Sequence, residues 1–169
     1  MFERDAGGAR RALLLVGRPA PVEGEIRRQR LRGHLLDRLD RLTRGHARGT
    51  LAEGASDEDL PYLYSYKGCC LRDLGRWDEA VAALEQGLAC DEERPDLHNA
   101  LGVCAYKTGR HADAVTHFRR AVALNPASAI DYANLALNLE RLGERDEAIA
   151  YYEIALGQDP TIEFALERL

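Results

Sequence analysis

The chain has 169 residues, of which 46% are hydrophobic and 30% are charged. These proportions are typical of a folded globular domain and exclude wholesale disorder. No apolar run approaches the ~20 residues that span a bilayer, and the run at residues 12–16 is too short for a signal peptide, so we expect a cytoplasmic protein.

Residues 1–50 hold 12 arginines and 6 acidic residues, for a net charge of +6. Residues 51–169 hold 11 basic and 22 acidic residues, for a net charge of −11, so a basic head precedes an acidic body.

The basic head, residues 1–50, contains one amphipathic helical pattern, at about residues 22–44. Its apolar residues fall on one side of a helix, and most of its arginines lie elsewhere: Ile26, Leu31, Leu35, Leu36, Leu39 and Leu42. Such a helix can lie on an anionic membrane or contact nucleic-acid phosphates. We favour neither and expect no nucleic-acid partner, because Asp37 and Asp40 interrupt the positive charge and the acidic body would repel phosphates. The leucine face is instead expected to cover the open end of the helices that follow a linker at residues 51–60.

From residue 61 onward the sequence repeats with a period of 34 residues. Glycines, alanines and prolines recur at this spacing: Gly75, Gly109 and Gly143; Ala80, Ala114 and Ala148; Pro126 and Pro160. A fixed period of this length is typical of a solenoid, in which each unit packs on the next. The period defines units at residues 61–94, 95–128 and 129–162, and leaves residues 163–169 as the start of a capping helix or of a further repeat.

Each unit shows two stretches of helical apolar spacing separated by its glycine. In the second unit one stretch runs from Leu97 to Ala105 and the other from Ala114 to Leu124. Glycine suits the left-handed residue just past a helix end, and proline cannot continue a helix. Ser128 stands where the third unit needs an N-cap. No strand pattern competes, so the sequence predicts an all-α fold with six antiparallel repeat helices.

The chain resembles the tetratricopeptide-repeat family, which combines this period with a small residue, a turn glycine, an alanine and a large residue at set places. The early small position holds Gly68, Gly102 and Ala136, and the large residue of the second helix is Leu84, Phe118 or Tyr152. The bulky position of the first helix holds Tyr64, His98 and Tyr132, and we expect His98 to pack in place of a larger ring. The first unit departs from the pattern at Glu92, where the other units have a proline. The resemblance covers residues 61–162 and implies a right-handed superhelical solenoid of three helix-turn-helix repeats.

The resemblance also implies a concave groove, lined mainly by first helices, that receives an extended segment or a helix of a partner protein. Transferring this geometry by spacing predicts twelve groove residues: Tyr62, Ser65, Cys69, Arg72, Asn99, Val103, Tyr106, Lys107, Ile130, Asn134, Leu137 and Arg141. Among them, Cys69, Val103 and Leu137 form an apolar line one repeat apart, edged by polar groups, as in peptide sites. An equally good interpretation places Cys69 and the neighbouring Ala133 between helices.

Chaperone-binding members of the family hold a terminal carboxylate with Lys and Asn from the first repeat, Asn from the second, and Lys and Arg from the third. The corresponding residues of this chain fit none of these five positions: Ser65, Cys69, Ala100, Ile130 and Asn134. The sequence therefore argues against binding of chaperone tails.

Three functions stay open at this point. The leading hypothesis is a protein-interaction scaffold or adaptor that binds a partner peptide or helix. The second is a small acidic secretion-type chaperone that holds a client protein, because such proteins combine an N-terminal helix with three repeats. The third is a regulatory or targeting domain of a larger enzyme. The end of the third repeat offers a further hypothesis, homodimerisation through an exposed apolar face.

No pattern in the sequence indicates catalysis, a cofactor or a metal. Phosphate-binding loops, zinc motifs and nucleophile motifs are missing, and we expect no enzyme activity. His111 and His117 are expected at the surface without a third ligand. The four cysteines lack C-x-x-C spacing and are expected to be buried, reduced thiols: Cys69, Cys70, Cys90 and Cys104.

Overall fold

The computed structural model describes residues 23–47 and 57–169, and the regular elements in these residues are all helices. In chain order they are α1 (Glu23–Ala47), a 3-10 turn (Asp57–Asp59), α2 (Leu60–Asp73), α3 (Trp77–Cys90), α4 (Pro95–Lys107), α5 (His111–Leu124), α6 (Ala129–Leu142), α7 (Arg145–Gln158) and α8 (Glu163–Leu166). The predicted segment at residues 1–22 and most of the predicted linker lie outside the described residues. Among the described helices, none combines the length and the hydrophobicity that a membrane-spanning segment needs.

Each repeat turns at a glycine in the left-handed conformation. The φ angles of Gly75, Gly109 and Gly143 are 73°, 76° and 88°. The amide that follows each glycine donates to the carbonyl five residues before it, as in the 2.9 Å bond from Arg76 N to Leu71 O. This Schellman arrangement satisfies carbonyl groups at the helix end, and its glycine position strains any residue that carries a Cβ atom. The turn glycines of the repeat therefore have a local conformational cause.

The other helix ends show one agreement with the sequence pattern and one difference from it. Helices α5 and α7 end two residues before Pro126 and Pro160, respectively, as expected for a residue that cannot continue a helix. Ser128 precedes α6 with an extended backbone, but its side chain makes no capping hydrogen bond. The position predicted for the N-cap is therefore right, and the predicted capping bond is absent.

Within each repeat the two helices approach closely at the early small residue. A Cβ atom added at Gly68 would lie 2.4 Å from the side chain of Leu84, and one added at Gly102 would lie 2.8 Å from the ring of Phe118. The third repeat has Ala136 at this position, and it is fully buried. The small residues of the pattern are therefore required by helix–helix contact.

The apolar core has two parts that meet within the second repeat. One part joins α1, the first repeat and α4, and its last member is Cys104. The other begins at Ala105, includes the buried ring of Phe118 on α5, and continues to Ala165 near the end of the chain. The second repeat thus connects the two halves of the molecule.

Helix α1 packs on the first repeat with only one edge of its leucine stripe. Leu36 and Leu39 are buried, whereas Ile26, Leu31 and Leu35 are exposed. The buried pair lies towards one side of the helical wheel, the side on which α1 packs against α2 and joins the core of the first repeat. The expected covering role of the leucine face is therefore only half realised among the described residues.

Two ion pairs accompany this packing. Arg32 of α1 lies 3.0 Å from Asp73 of α2, and Asp40 of α1 lies 2.6 Å from Lys67 of α2. Because all four side chains are partly exposed, these pairs contribute orientation more than stability.

The chain after α7 folds back onto the third repeat. Ile162 and Ala165 are buried in its core, and Arg168 lies 2.6 Å from Glu140 of α6. Residues 163–169 thus cover part of α6.

Candidate functional site

The first helices of the three repeats, α2, α4 and α6, form a row. Side-chain hydrogen bonds join neighbouring helices, from Ser65 to Asp96 and from Asn99 to Asp131. We call the solvent-accessible surface of this row the first-helix face. The twelve predicted groove residues lie on it and none of them is buried: Tyr62, Lys107, Ile130 and Arg141 are exposed, and Ser65, Cys69, Arg72, Asn99, Val103, Tyr106, Asn134 and Leu137 are half-buried. Whether they contact a partner stays a prediction.

A polar cluster holds the N-terminal ends of α2 and α4 together. The guanidinium of Arg94 stacks over the ring of Tyr62 at 4.1 Å and donates two hydrogen bonds of 2.8 Å to Asp96. The hydroxyl of Ser65 donates to the same carboxylate at 3.0 Å. Partial desolvation opposes ionisation of Asp96, although the residue is exposed, but the bonds from Arg94 and Ser65 outweigh it and lower the pKa of this carboxyl. Asp96 is therefore ionised and already satisfied at neutral pH.

A second polar cluster joins α4, α5 and α6, and it is more deeply buried. Asn99 Nδ2 donates to Oδ1 of Asp131, which is only 4% exposed. Asn138, 1% exposed, donates to the carbonyl of Asn134 at 2.8 Å and lies 2.9 Å from Nδ1 of His111. His111 and His117 were both expected at the surface, and both are instead half-buried. The contact with Asn138 draws the ring of His111 against α6.

The apolar line of the first-helix face crosses the middle of all three helices. Cys69, Val103 and Leu137 are each half-buried, and the latter two pack against the core. Burial raises the pKa of the Cys69 thiol, and the nearby guanidinium of Arg72 offsets this only in part. The thiol is therefore protonated at neutral pH and offers an apolar contact, not a nucleophile.

The charged groups of the first-helix face are unequally paired. Arg72 is bonded to Asp73 at 3.1 Å. Glu140 accepts from Arg168 at 2.6 Å and from the Tyr152 hydroxyl at 3.2 Å. Within the described part of the chain neither Lys107 nor Arg141 forms an ion pair, and Nζ of Lys107 lies 5.5 Å from the centre of the Tyr106 ring. The acidic groups are thus neutralised internally, whereas these two cations have no anionic partner in residues 23–47 and 57–169.

The structure adds two residues to the first-helix face and assigns one candidate to the core. Tyr66, 62% exposed, lies one helical turn after Tyr62 on the same side of α2, and Asp73 lies two turns after Tyr66. The sequence prediction missed both, although the i, i+4 spacing of the two tyrosines was a usable signal. Ala133, in contrast, is fully buried and belongs to the core, which decides between its two interpretations.

The described residues hold no group of three or more His, Cys, Asp or Glu side chains arranged to bind a metal. All four cysteines are free thiols. Cys90 is exposed at the end of α3, so the expectation that every thiol is buried is wrong for this residue. It is the last residue of α3.

Comparisons with known proteins bear on the repeat itself. Two family models, both described as "Tetratricopeptide repeat", match residues 67–129 and 132–162, which together make up more than half of the chain. No curated protein matches the sequence.

Several solved structures share the fold. The first TPR domain of Spaghetti (RPAP3), solved with the HSP90 peptide SRMEEVD, is 24% identical with a TM-score of 0.64, over 66% of this chain and 88% of that one. MamA is 22% identical with a TM-score of 0.66, over 88% and 81% of the two chains. YrrB, described as a TPR protein with an unusual peptide-binding site, is 17% identical with a TM-score of 0.66, over 82% and 66%. At these identities the likeness shows the helical-repeat fold.

Proposed function

This chain belongs to the tetratricopeptide-repeat family, and we propose that it is a non-catalytic scaffold whose first-helix face binds an extended segment or a helix of a partner protein. The observation that carries the proposal is the apolar line of Cys69, Val103 and Leu137, each half-buried on one of three neighbouring first helices. Stacked repeats curve so that first helices line a concave surface, where such a line contacts a bound segment along its length.

The polar surroundings of this line indicate the chemistry of the partner. The acidic groups Asp96, Asp131 and Glu140 already accept hydrogen bonds from the protein, so they need no ligand. Lys107 and Arg141, one repeat apart, carry positive charge that no described carboxylate neutralises. We therefore expect the bound segment to alternate apolar side chains with carboxylates.

The relatives support peptide binding without naming the partner. Spaghetti (RPAP3) was solved with an HSP90 peptide and YrrB is described as peptide-binding. The residues with which chaperone-binding members hold a terminal carboxylate have no match here, since Cys69, Ala100 and Ile130 stand at three of the five positions. We therefore propose an internal segment as the ligand, not an HSP90 tail. A cytoplasmic location is part of this proposal, and the lack of a spanning helix among the described ones is compatible with it.

The proposal is tested by capture of partners from the source cell, identified by mass spectrometry. The variant Val103→Arg/Leu137→Arg places two charges on the apolar line. Its matched control, Ile149→Arg/Ile154→Arg, changes two exposed apolar residues of α7, which is a second helix and lies off the first-helix face. We expect the first variant alone to lose the main partner by about tenfold or more, because burying an unpaired charge in an interface is costly. Equal capture by both variants would contradict the proposed site.

A second candidate surface is the uncovered edge of α1, where Leu31 and Leu35 are exposed beside arginines. The variant Leu31→Glu/Leu35→Glu addresses it in the same capture experiment. A partner that survives the changes at Val103 and Leu137 but is lost with this variant would move the binding site to α1. Capture of one unfolded client that is released when it folds would favour the secretion-type chaperone. An enzyme domain on the same polypeptide would favour a regulatory role.

A further inference from the structure

A large cleft lies away from the first-helix face, between the second helices of the first two repeats. Its volume is about 780 Å³, and its lining is mostly apolar with histidines, arginines and glutamates at its walls: Glu85, Glu92, His98, His117, Arg119 and Arg120. We call it the outer cleft. It shares no residue with the predicted groove, so an inference about it is independent of the proposed function.

Two histidines meet in the wall of the outer cleft. His98 comes from α4 and His117 from α5, and their Nδ1 atoms lie 3.4 Å apart. The ring planes are tilted by 36°, and both side chains are half-buried. The two Nδ1 atoms therefore face each other at hydrogen-bond distance in the wall of the cleft.

The third repeat shows what this place in the fold requires for packing alone. Tyr132 and Tyr151 stand 34 residues after His98 and His117, and their rings stack at 6.0 Å. The first repeat has Tyr64 and Ala83 at the same positions. Carbon surface therefore satisfies the packing in the other two repeats, and only the second repeat places two ring nitrogens together.

The hydrogen bond of the outer nitrogen orients the first ring. His98 Nε2 lies 3.4 Å from the carbonyl oxygen of Glu92, to which it can only donate. A proton on Nε2 leaves the lone pair of Nδ1 free and directed at His117. A backbone carbonyl that accepts from the far nitrogen is the usual outer partner of a metal-bound imidazole.

We propose that His98 and His117 form a binding site for a divalent transition-metal ion, for which Zn²⁺ is the best fit. Two imidazole nitrogens bound to tetrahedral Zn²⁺ at about 2.05 Å lie about 3.3–3.4 Å apart, which matches the separation of the two Nδ1 atoms. In the metal-free chain the His117 Nδ1 proton bridges the two rings. On binding it moves to Nε2 of the same ring, so no net proton is released from the neutral pair.

The protein supplies two ligands, and the open cleft supplies room for water at the remaining positions. Two carboxylates act on the charge of His117, Asp113 and then Glu85, and of these Glu85 lines the outer cleft. Arg119 is engaged with Glu147 at 2.7 Å. Arg120, which acts on His98, is the charge that opposes a bound cation. Neutralising Arg120 should therefore tighten binding.

The test is calorimetric titration of the reduced, full-length chain with Zn²⁺, and with Mg²⁺ as the comparison ion. We expect one Zn²⁺ per chain and no heat from Mg²⁺, which prefers oxygen ligands. The variant His98→Tyr/His117→Tyr copies the tyrosine pair of the third repeat and so keeps a packing solution that the fold already uses. It should lose at least about tenfold in Zn²⁺ affinity, while the exposed His34→Gln control on α1 binds like the wild type.

Two more variants distinguish the histidine pair from other zinc ligands of the chain. Cys90→Ser removes the exposed thiol and should leave Zn²⁺ binding unchanged; loss of binding in this variant would assign the ion to the cysteine and overturn the proposal. Arg120→Gln should raise the affinity severalfold, and a lowered affinity would contradict the proposed position of the charge. The proposal would also be overturned if the double tyrosine variant bound Zn²⁺ with wild-type affinity and showed unchanged circular dichroism.

Discussion

The two junctions between the three repeats differ, although the backbone period is the same. At the first junction, between repeats 1 and 2, α3 packs against α4 over a limited surface, and the outer cleft opens beside it. At the second junction, between repeats 2 and 3, α5 packs more extensively against α6. A solenoid of equal repeats thus contains a looser and a tighter contact, and the difference originates in a few substituted positions.

One substituted position lies where the first helix of a repeat packs on the second helix of the repeat before it. The first junction has Leu97, fully buried against Gly87, whose added Cβ would lie 3.0 Å from the leucine. The corresponding residues of the second junction are Asp131 and Ala121. Asp131 replaces the apolar contact with the buried hydrogen bond from Asn99. The first junction therefore depends on packing of one leucine, and the second on a satisfied polar pair.

A second substituted position lies between the second helix of one repeat and the second helix of the next. At the second junction Arg119 and Glu147 form an ion pair at 2.7 Å. The corresponding residues at the first junction are Glu85 and Asp113, which carry the same charge and line one small pocket. Like charges cannot bridge the helices, which is consistent with a more open first junction.

The largest effect is expected from Leu97→Ala. The change leaves a cavity against Gly87 at the looser junction and should cost about 2–5 kcal/mol of unfolding free energy. Because the first repeat and α1 share the core part that contains Leu97, their amides should exchange hydrogen faster than those of the third repeat. Chemical denaturation and hydrogen exchange measure both effects. Ile149→Ala, at an exposed position, is the control, and a loss under about 1 kcal/mol for Leu97→Ala would contradict this view of the junction.

A smaller effect is expected from Asn99→Ala at the second junction. It removes a hydrogen-bond donor from a carboxylate that is almost fully buried, so we expect a cost of about 1–3 kcal/mol. Ser65→Ala is the matched change at the first junction, where Asp96 is exposed and keeps both bonds from Arg94. Its cost should be about 0.5 kcal/mol or less. Equal losses in thermal or urea denaturation of the two variants would show that the junctions do not differ in this way.

The smallest effect, with a defined sign, is expected from Glu85→Arg. The new arginine should form an ion pair with Asp113 at the first junction, as Arg119 does with Glu147 at the second. The gain should be about 0.5 kcal/mol and should shrink as salt is raised, because the pair is at the surface. Glu85→Gln, which only removes the like-charge repulsion, gives the reference. A lower melting temperature for Glu85→Arg than for Glu85→Gln at low salt would contradict the equivalence of the two positions.

The sequence by itself determined the repeat and the course of its backbone. The turn glycines can be predicted from the sequence because only glycine adopts their positive φ without strain. The small residues can be predicted because a side chain at Gly102 would collide with the ring of Phe118. Helical spacing likewise identified the side of each first helix that stays accessible, from Tyr62 to Arg141. These features recur at one period and depend on local geometry.

Only the tertiary structure decided which neighbours meet across helices. From their spacing in the sequence, His111 and His117 were considered together as possible ligands. In the structure His111 contacts Asn138, and His117 contacts His98. The burial of Ala133 and the exposure of Leu31 were equally undetermined. The physical reason is that such contacts depend on the crossing angle and the relative translation of packed helices. Those quantities follow from how all the side chains at an interface fit together, and a 34-residue period does not encode them.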